Sequence, residues 1–362
     1  MTKFNPSNER VKRIYFEWQK EANQKSQNSI DNIRQAMTRY EIYTKFQDFK
    51  SFNKQKAIAF KKHLAETKAV LSHEPLSKST LFSTLRHLKD FFKWLAYQKG
   101  FRHIDIREIE YFNLSEKDTR IAQTPKREAV PTPEQIRQVI FSMPANTDIE
   151  RRNRAIVAFT FLTCIRDSAI VSLKLKHLKL EDELVEQIGG EVNTKFSKTI
   201  YTYFFPVGED IKVIVKDWAN YLIKEKLYGI NDPLFPRTKI GLDKNNCFTS
   251  VGIEPVCWQS ANQMRGIFKE AFEKTGLEYS SPHLFRKTLV RLGETLCKTP
   301  EDFKAWSQNL GHDHVSTTFS SYGYVEEYRQ GEIIRNLLNR PRQEEQTEQI
   351  AQRVSELIKN RT

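Results

Sequence analysis

The chain has 362 residues, of which 39% are hydrophobic and only 13 each are Gly and Pro, so two or three domains with buried cores are expected rather than disorder. The net charge is +13, and residues 1–100 hold 20 Lys and Arg against 9 Asp and Glu, a net of +11; this basic lobe indicates a polyanionic partner such as nucleic acid, with a solubilising surface as the alternative. The sequence contains no apolar run long enough to span a membrane, no secretory signal in MTKFNPSNERVKR, and no paired cysteines that would indicate disulfides or structural zinc.

The N-terminal region is predicted to be helical. Residues 79–100, STLFSTLRHLKDFFKWLAYQKG, place leucine and phenylalanine at steps of three and four, and Gly100 is the expected C-cap. Three earlier segments, roughly 9–24, 28–43 and 53–66, have similar patterns. The sequence therefore predicts a small basic helical bundle.

The apolar period is lost over residues 114–133, which are polar and contain prolines, and we interpret this stretch as an interdomain linker. A helix is predicted to restart at PTPEQI, with Thr132 as its N-cap and Pro133 in the first position. The segment NRAIVAFTFLTC (153–164) is apolar on nearly all sides, which predicts a buried helix.

A β-rich region is predicted over residues 177–208, where β-branched residues alternate with polar ones between turn signals. Within it, NTKFSKTIYTYFFPV (193–207) is interpreted as a hairpin with Lys195 and Lys198 at or near its turn. A lysine at such a tip is usually only solvated, but it can also act as a compact proton donor over a substrate. From residue 259 onward the chain is again predicted to be helical.

The segment HLFRKTLVRLGETLC (283–297) places His283 and Arg286 three residues apart at the start of a predicted helix. Both are expected on a side of the helix away from its leucine-rich core face. An imidazole beside a guanidinium there is suited to bind an anion, because arginine forks onto two phosphate oxygens and the helix N-terminus adds its dipole. An isolated H-x-x-R is nevertheless more often an ordinary surface pair.

Arg166 follows the predicted buried helix, and Asp167 and Ser168 are candidates to cap the next one. An arginine between two buried helices is costly unless it meets an anion, and the alternative is a structural salt bridge, for example to Asp167. Near the C-terminus, NLGHDHVSTTFSSYGY (309–324) contains His312 after a helix-breaking glycine and Tyr322 ten residues later. Considered alone, Tyr322 is equally well a core aromatic with a tethered hydroxyl.

Considered together, the order of these motifs (arginine, hairpin lysine, H-x-x-R, L-G-H, tyrosine) resembles the tyrosine recombinase family, which includes phage integrases and Xer-type recombinases. The resemblance covers residues of about 130–330, and the basic bundle before them is similar to the family's core-binding domain. It implies the following catalytic set: Arg166, Lys198, His283, Arg286, His312 and Tyr322.

The first arginine motif departs from the family pattern. The common T-G-x-R-x-x-E is T-C-I-R-D-S-A here, with Cys164 in place of the glycine and Ala169 in place of the glutamate. Asp167 is the candidate to take over the acidic role.

The lysine and the nucleophile also leave alternatives. Lys198 stands eight residues before Pro206, at the family's usual interval, with Lys195 as the alternative. The interval from His312 to Tyr322 is ten rather than the usual nine, which leaves Tyr324 as an alternative nucleophile.

The resemblance implies a mainly α fold with a small antiparallel β-sheet. An N-terminal helical core-binding (SAM-like) domain and a C-terminal catalytic domain are expected to form a C-shaped clamp on DNA. The expected boundaries are 1–117 for the core-binding domain, 118–129 for a linker, 130–340 for the catalytic domain and 341–362 for a helical tail that docks onto a neighbouring subunit.

The implied activity is site-specific DNA recombination, with strands cleaved and rejoined through a 3′-phosphotyrosine. No cofactor, metal or ATP is expected, because arginines neutralise the phosphate charge and the phosphotyrosyl ester conserves the bond energy. Expected partners are double-stranded recombination sites, further copies of the chain in a tetrameric synapse, and accessory DNA-bending proteins in a cytoplasmic, nucleoid-associated setting, with no membrane partner. The alternatives are a type IB topoisomerase-like nicking-closing enzyme and a DNA-binding protein with a decayed site.

Overall fold

A computed structural model of the chain describes residues 4–69, 73–124, 129–242 and 246–312. The chain divides into two compact units, Met1–Lys126 and Arg127–Thr362. Both are mainly helical in their described parts, and the second contains two small antiparallel sheets. The predicted fold class, mainly α with small antiparallel β structure, is therefore confirmed. Across these ranges, no helix combines the length and apolarity needed to cross a bilayer.

The described part of the first unit is a bundle of helices with an aromatic core. Its α-helices are α1 (Pro6–Glu17), α2 (Gln27–Tyr43), α3 (Lys54–Glu66), α4 (Lys78–Ala96), α5 (Ile106–Ile109) and α6 (Glu116–Gln123). In the core, Phe92 stacks on Phe52 at 4.2 Å and meets Tyr40 edge-on at 5.3 Å. Such ring pairs add about 0.5–1.5 kcal/mol each to the burial of their apolar area.

Helix α4 coincides with the strongest periodic pattern in the sequence. Its N-cap, Ser77, accepts a hydrogen bond from the backbone N–H of Thr80 at 3.2 Å. The leucines and phenylalanines of its apolar stripe are buried, as predicted. The helix ends before the predicted Gly100, because the N–H of Tyr97 closes the last turn by bonding to the carbonyls of Leu95 and Trp94.

Helix α6 extends into the stretch that was interpreted as a linker over residues 118–129. Ser115 caps it by accepting a hydrogen bond from the N–H of Asp118 at 3.1 Å, and Lys78 forms an ion pair with Asp118 at 2.9 Å. The helix contains no buried residue. Its sequence, EKDTRIAQ, has only Ile121 and Ala122 as apolar residues, which is too few to form a period that distinguishes the helix from a linker.

The described part of the second unit surrounds one buried helix. Its α-helices are α7 (Pro133–Ser142), α8 (Asp148–Thr163), α9 (Asp167–Ile170), α10 (Glu209–Lys224), α11 (Asn262–Lys274), α12 (Pro282–Leu296) and α13 (Pro300–Asn309). Its strands are β1 (Leu178–Lys179), β2 (Leu184–Gln187), β3 (Ile200–Tyr203), β4 (Arg237–Leu242) and β5 (Phe248–Glu254). Residues 155–163 of α8 are all buried, as their composition predicts. Thr132 caps α7 in a capping box with Gln135, so that prediction is also confirmed.

The antiparallel hairpin that carries the two candidate lysines has different boundaries from those predicted. Strands β1, β2 and β3 form one sheet in that order, and β4 and β5 form a separate hairpin. The prediction of a hairpin within residues 193–207 was wrong in extent, because the partner of β3 is β2, which lies upstream of that range. Lys195 and Lys198 lie on the long connection 188–199 between the two strands.

This connection folds back on itself at a pair of glycines. A Cβ atom on Gly189 would lie 2.1 Å from the carbonyl oxygen of Ser197, and Gly190 has a φ of +90°. The N–H of Gly189 also donates to the hydroxyl of Thr199 at 3.0 Å. Only glycine permits so close an approach, which is why the strand ends here and the loop is long.

Helix α13 is held on two sides. The indole N–H of Trp306 donates to the carbonyl of Leu289 on α12 at 3.0 Å. On strand β3, the N–H of Tyr203 donates to the amide oxygen of Asn309 at 2.7 Å, and the Asn309 amide donates back to the Tyr203 carbonyl at 2.9 Å. These contacts fix where α13 ends, and therefore where the following residues begin.

Gly293 is expected to be required for the contact between α12 and α13. A Cβ there would lie 2.7 Å from the indole nitrogen of Trp306, so Gly293→Ala should displace the indole and lower the free energy of unfolding by about 1–3 kcal/mol. Gly266→Ala on α11 is the matched control. Its Cβ would meet nothing within 4 Å, so it should stabilise by up to about 1 kcal/mol through helix propensity. Denaturant unfolding measures both, and equal effects of the two substitutions would contradict the packing argument.

Candidate active site

Arg166 is positioned by the turn that ends α8. Cys164, the C-cap of this helix, has a left-handed backbone with φ of 50°, and its N–H donates to the carbonyl of Thr160 at 2.9 Å. The left-handed region favours glycine, which explains why the family pattern that the sequence resembles has glycine there. Cys164 is fully buried, and burial raises the pKa of its thiol to about 12, so the side chain is an inert filler at neutral pH.

Arg166 itself is the N-cap of the one-turn helix α9 and is half-buried. No side-chain cap is formed there, so the expectation that Asp167 and Ser168 cap this helix was wrong: both lie inside its first turn. Asp167 pairs instead with Arg265 of α11, 2.7 Å away. This pairing joins residues 98 positions apart, and sequence reasoning missed Arg265 because no local pattern marks it.

Arg286 is buried and connects three segments of the chain. Its guanidinium donates to the carbonyl oxygen of Cys164, to the carbonyl oxygen of Leu310, and to Nε2 of His312 at 3.1 Å. Cys164 and Leu310 are the C-cap residues of α8 and α13. One side chain therefore binds the C-terminal ends of two helices together with the L-G-H histidine.

The burial of Arg286 corrects the expectation that it lies on a side of α12 away from the core. Only 6% of the residue is exposed. Burial lowers its pKa to about 10, and the charge of the nearby Arg166 acts in the same direction while Cys164 opposes it. The group remains protonated at neutral pH, and its bond to the Cys164 carbonyl places it beside the segment that carries Arg166.

The contact with Arg286 defines the state of His312. A guanidinium only donates hydrogen bonds, so Nε2 of His312 accepts and the imidazole carries its proton on Nδ1. The preceding Gly311 has φ of +69°, and a Cβ there would lie 3.1 Å from the side chain of Ile200 on β3. The strand that follows the lysine-bearing loop thus packs against the turn that presents His312.

The remaining sequence candidates lie on the same elements. His283 is exposed in the first turn of α12, one turn before Arg286. Lys198 is half-buried two residues before β3, and its carbonyl accepts from the hydroxyl of Thr194 at 2.7 Å. Lys195 is exposed, with its ammonium 5.0 Å from the ring of Phe196.

The structure therefore joins Arg286 to His312 and to the backbone two residues before Arg166. His283 lies one turn before Arg286 on α12, and Lys198 lies in the loop that leads into β3. The two candidate nucleophiles, Tyr322 and Tyr324, and the tail 341–362 lie outside the described residues. The described part thus contains a group of cationic and imidazole side chains carried by three joined segments: the end of α8, helix α12 and the turn after α13. Such a group is suited to bind a phosphate and to stabilise extra negative charge on it.

Arg286→Lys is expected to destabilise the second unit. A lysine retains the charge but not the fork that reaches two carbonyls and an imidazole, and each buried acceptor left unpaired costs about 1–3 kcal/mol. Arg291→Lys, at an exposed position of the same helix, is the matched control and should change stability by less than about 0.5 kcal/mol. Denaturant titration of both variants measures the difference; unchanged stability in Arg286→Lys would contradict the bridging role.

Comparison with known proteins identifies the family of the chain. The model of the phage integrase family matches residues 129–328. The tyrosine recombinase XerC of Lactobacillus delbrueckii subsp. bulgaricus is 26% identical over 254 residues, covering 68% of this chain and 72% of that protein. The XerC of Lactobacillus leichmannii is 26% identical over 271 residues, covering 71% and 78% respectively.

Two solved structures share the fold. A lambda integrase dimer bound to a COC′ core site superimposes with a TM-score of 0.57 at 14% identity, covering 88% of this chain and 96% of that one. The Tn1549 transposon integrase in complex with circular intermediate DNA gives 0.55 at 15% identity, covering 90% and 98%. The family match spans more than half of the chain and includes every candidate site residue. The chain therefore belongs to the phage integrase family, the tyrosine-type enzymes that cleave and join DNA strands in site-specific recombination.

Proposed function

We propose that this recombinase uses Tyr322 as its nucleophile and Arg166, His283, Arg286 and His312 to bind the scissile phosphate. The observation that carries the proposal is the contact of Arg286 with Cys164, Leu310 and His312. It brings the first-arginine segment, the H-x-x-R helix and the L-G-H turn to one place. A phosphate bound there meets the guanidinium and imidazole groups that these segments carry.

The chemistry requires this charge at one moment of the reaction. When the tyrosine oxygen attacks phosphorus, negative charge increases on the non-bridging oxygens, and preorganised guanidinium and imidazole donors stabilise that state. The phenol has an ordinary pKa of about 10, so a cationic surrounding and a neutral base, for which His283 is the candidate, assist its deprotonation. The bond from phosphorus to the tyrosine forms as the bond to the 5′-oxygen breaks. The departing 5′-oxygen takes a proton from a general acid, for which we assign Lys198.

We further propose how the whole chain is used. The N-terminal helical unit, with most of the net charge, contributes phosphate contacts to double-stranded DNA, so that affinity falls steeply with salt. Since the related integrases were solved on DNA and one of them as a dimer, we infer self-association here: monomers in free solution, a tetramer on two recombining sites, and the tail 341–362 docked in trans. The setting is the cytoplasm, on the DNA of a phage or other mobile element, with accessory DNA-bending proteins as further partners.

Covalent trapping on nicked DNA tests the nucleophile. A suicide substrate loses a short strand after cleavage, so wild-type protein should accumulate as a DNA adduct that is detected by denaturing gel electrophoresis. Tyr322→Phe should form none, because the attacking oxygen is missing, while Tyr324→Phe should behave like wild type. The reverse pattern would assign the nucleophile to Tyr324, and adduct formation by both variants would exclude both.

A substrate with sulfur in place of the 5′-bridging oxygen tests the general acid. A thiolate leaves without a proton, so Lys198→Ala should slow cleavage of ordinary DNA by about 10²–10⁴-fold and cleavage of the sulfur substrate far less. Lys195→Ala, on the same loop, is the matched control and should cleave both substrates at the wild-type rate. If the loss and its rescue by sulfur appear in Lys195→Ala instead, the assignment to Lys198 is wrong.

A further inference from the structure

Helix α9, which begins directly after Arg166, is too short to hold its own orientation. It has four residues, Asp167–Ile170, and the carbonyl of Arg166 accepts from the N–H groups of Ala169 and Ile170 at 2.9 and 3.0 Å. Short helices depend on tertiary contacts for their stability. Ala169, which occupies the position of the family's glutamate, is buried and offers no carboxylate.

Asp167 supplies a link from this helix to α11. Its Oδ1 accepts from the N–H of Ser168 at 2.7 Å, which ties the carboxylate to the backbone of α9. Its Oδ2 accepts from Nε of Arg265 at 2.7 Å, and Nη2 of Arg265 lies equally close at 2.7 Å. The carboxylate is thus shared between the backbone of α9 and Arg265 of the longer helix α11.

We propose that Arg265 is a positioning residue that holds the Arg166 guanidinium in its phosphate-binding orientation by engaging Asp167. The inference rests on the proposed function only in that Arg166 binds the scissile phosphate. It assigns the acidic support of this site to the pair Asp167–Arg265, in place of a glutamate at position 169.

The ion pair with Arg265 also restricts which other cation the Asp167 carboxylate can contact. Asp167 is adjacent to Arg166 in the chain, and a carboxylate without a partner would turn to the nearest guanidinium and occupy the donors that the phosphate needs. With Oδ2 engaged by Arg265, the Asp167 carboxylate is held toward α11. Tyr279, in the segment leading into α12, lies near the pair: burial raises its pKa, Arg265 lowers it and Asp167 raises it.

Arg265 is about half exposed, so a direct contact with DNA phosphate is the competing role. The two roles differ in what a substitution changes. A positioning residue affects the rate of cleavage by bound enzyme, because small misplacements of a catalytic group cost up to about 10²-fold in rate. A direct phosphate contact affects affinity and its dependence on salt.

The experiment compares the full-length Arg265→Ala, Asp167→Ala and double variants by single-turnover cleavage of the suicide substrate at saturating enzyme, and by DNA titration at several salt concentrations. Each single variant should cleave about tenfold to hundredfold more slowly, with affinity and salt dependence unchanged. The double variant should be no slower than the slower single variant, because both changes break the same link. Lys269→Ala is the matched control, since its exposed partner is Glu273 on the same helix at 3.7 Å, and it should cleave like wild type.

Three results would overturn the proposal: wild-type cleavage by Arg265→Ala, losses that multiply in the double variant, or a reduced salt dependence in Arg265→Ala. A readout without cleavage separates this inference from the proposed function. The Nε–H resonance of Arg166, assigned by its loss in Arg166→Lys, should shift or broaden in Arg265→Ala and stay unchanged in Lys269→Ala. If wild type forms no adduct, the proposed function fails, and an unchanged resonance in Arg265→Ala still decides against the positioning role.

Discussion

The buried guanidinium of Arg286 is the interaction on which the catalytic unit depends. Removing a cation from water costs several kcal/mol unless fixed partners replace its hydration. The partners here are the C-cap carbonyls of α8 and α13. The last carbonyls of a helix receive no hydrogen bond from an N–H of the same helix, and the negative end of the helix dipole lies beside them. One cation thus satisfies two helix ends that would otherwise require other donors.

The rest of the unit determines where those two helix ends lie. Helix α8 is surrounded by apolar side chains along residues 155–163, so its end is fixed by the core. Helix α13 is fixed by Trp306 against α12 and by Asn309 against β3. The geometry around Arg286 is therefore a consequence of packing that extends through the whole unit, and it holds the guanidinium in place before any DNA arrives.

Much of this could be predicted from the sequence where the physics is local. The periodic pattern of α4, the apolar character of α8 and the Thr132 cap each depend on residues a few positions apart, and the structure confirms them. The predicted boundaries of the hairpin were wrong because the end of β2 depends on the close approach of Gly189 to Ser197, which are not neighbours in sequence. The β4–β5 hairpin was not anticipated; its strands expose most of their side chains, so they lack the one-sided apolar alternation that marks a half-buried strand.

The candidate site likewise has residues that the sequence identified and contacts that only the structure shows. Motif resemblance selected Arg166, His283, Arg286 and His312 as candidates, but it gave neither the burial of Arg286 nor its partners. Those partners are backbone carbonyls 122 and 24 residues away, and a carbonyl leaves no trace in the choice of amino acid. Arg265 was missed for a related reason, since its link to Asp167 exists only once α9 and α11 are packed.

The buried thiol at the end of α8 has a practical consequence for fluorescent labelling of the enzyme. Cys164 is buried, and its high pKa keeps the thiol protonated. Alkylating dyes react with thiolates, so they should not label this residue. Cys247 is exposed beside the start of β5. In a Cys257→Ser, Cys297→Ser variant, a fluorophore could be attached to Cys247 alone for single-molecule measurements. Cys164, whose carbonyl accepts from Arg286, would keep its native side chain.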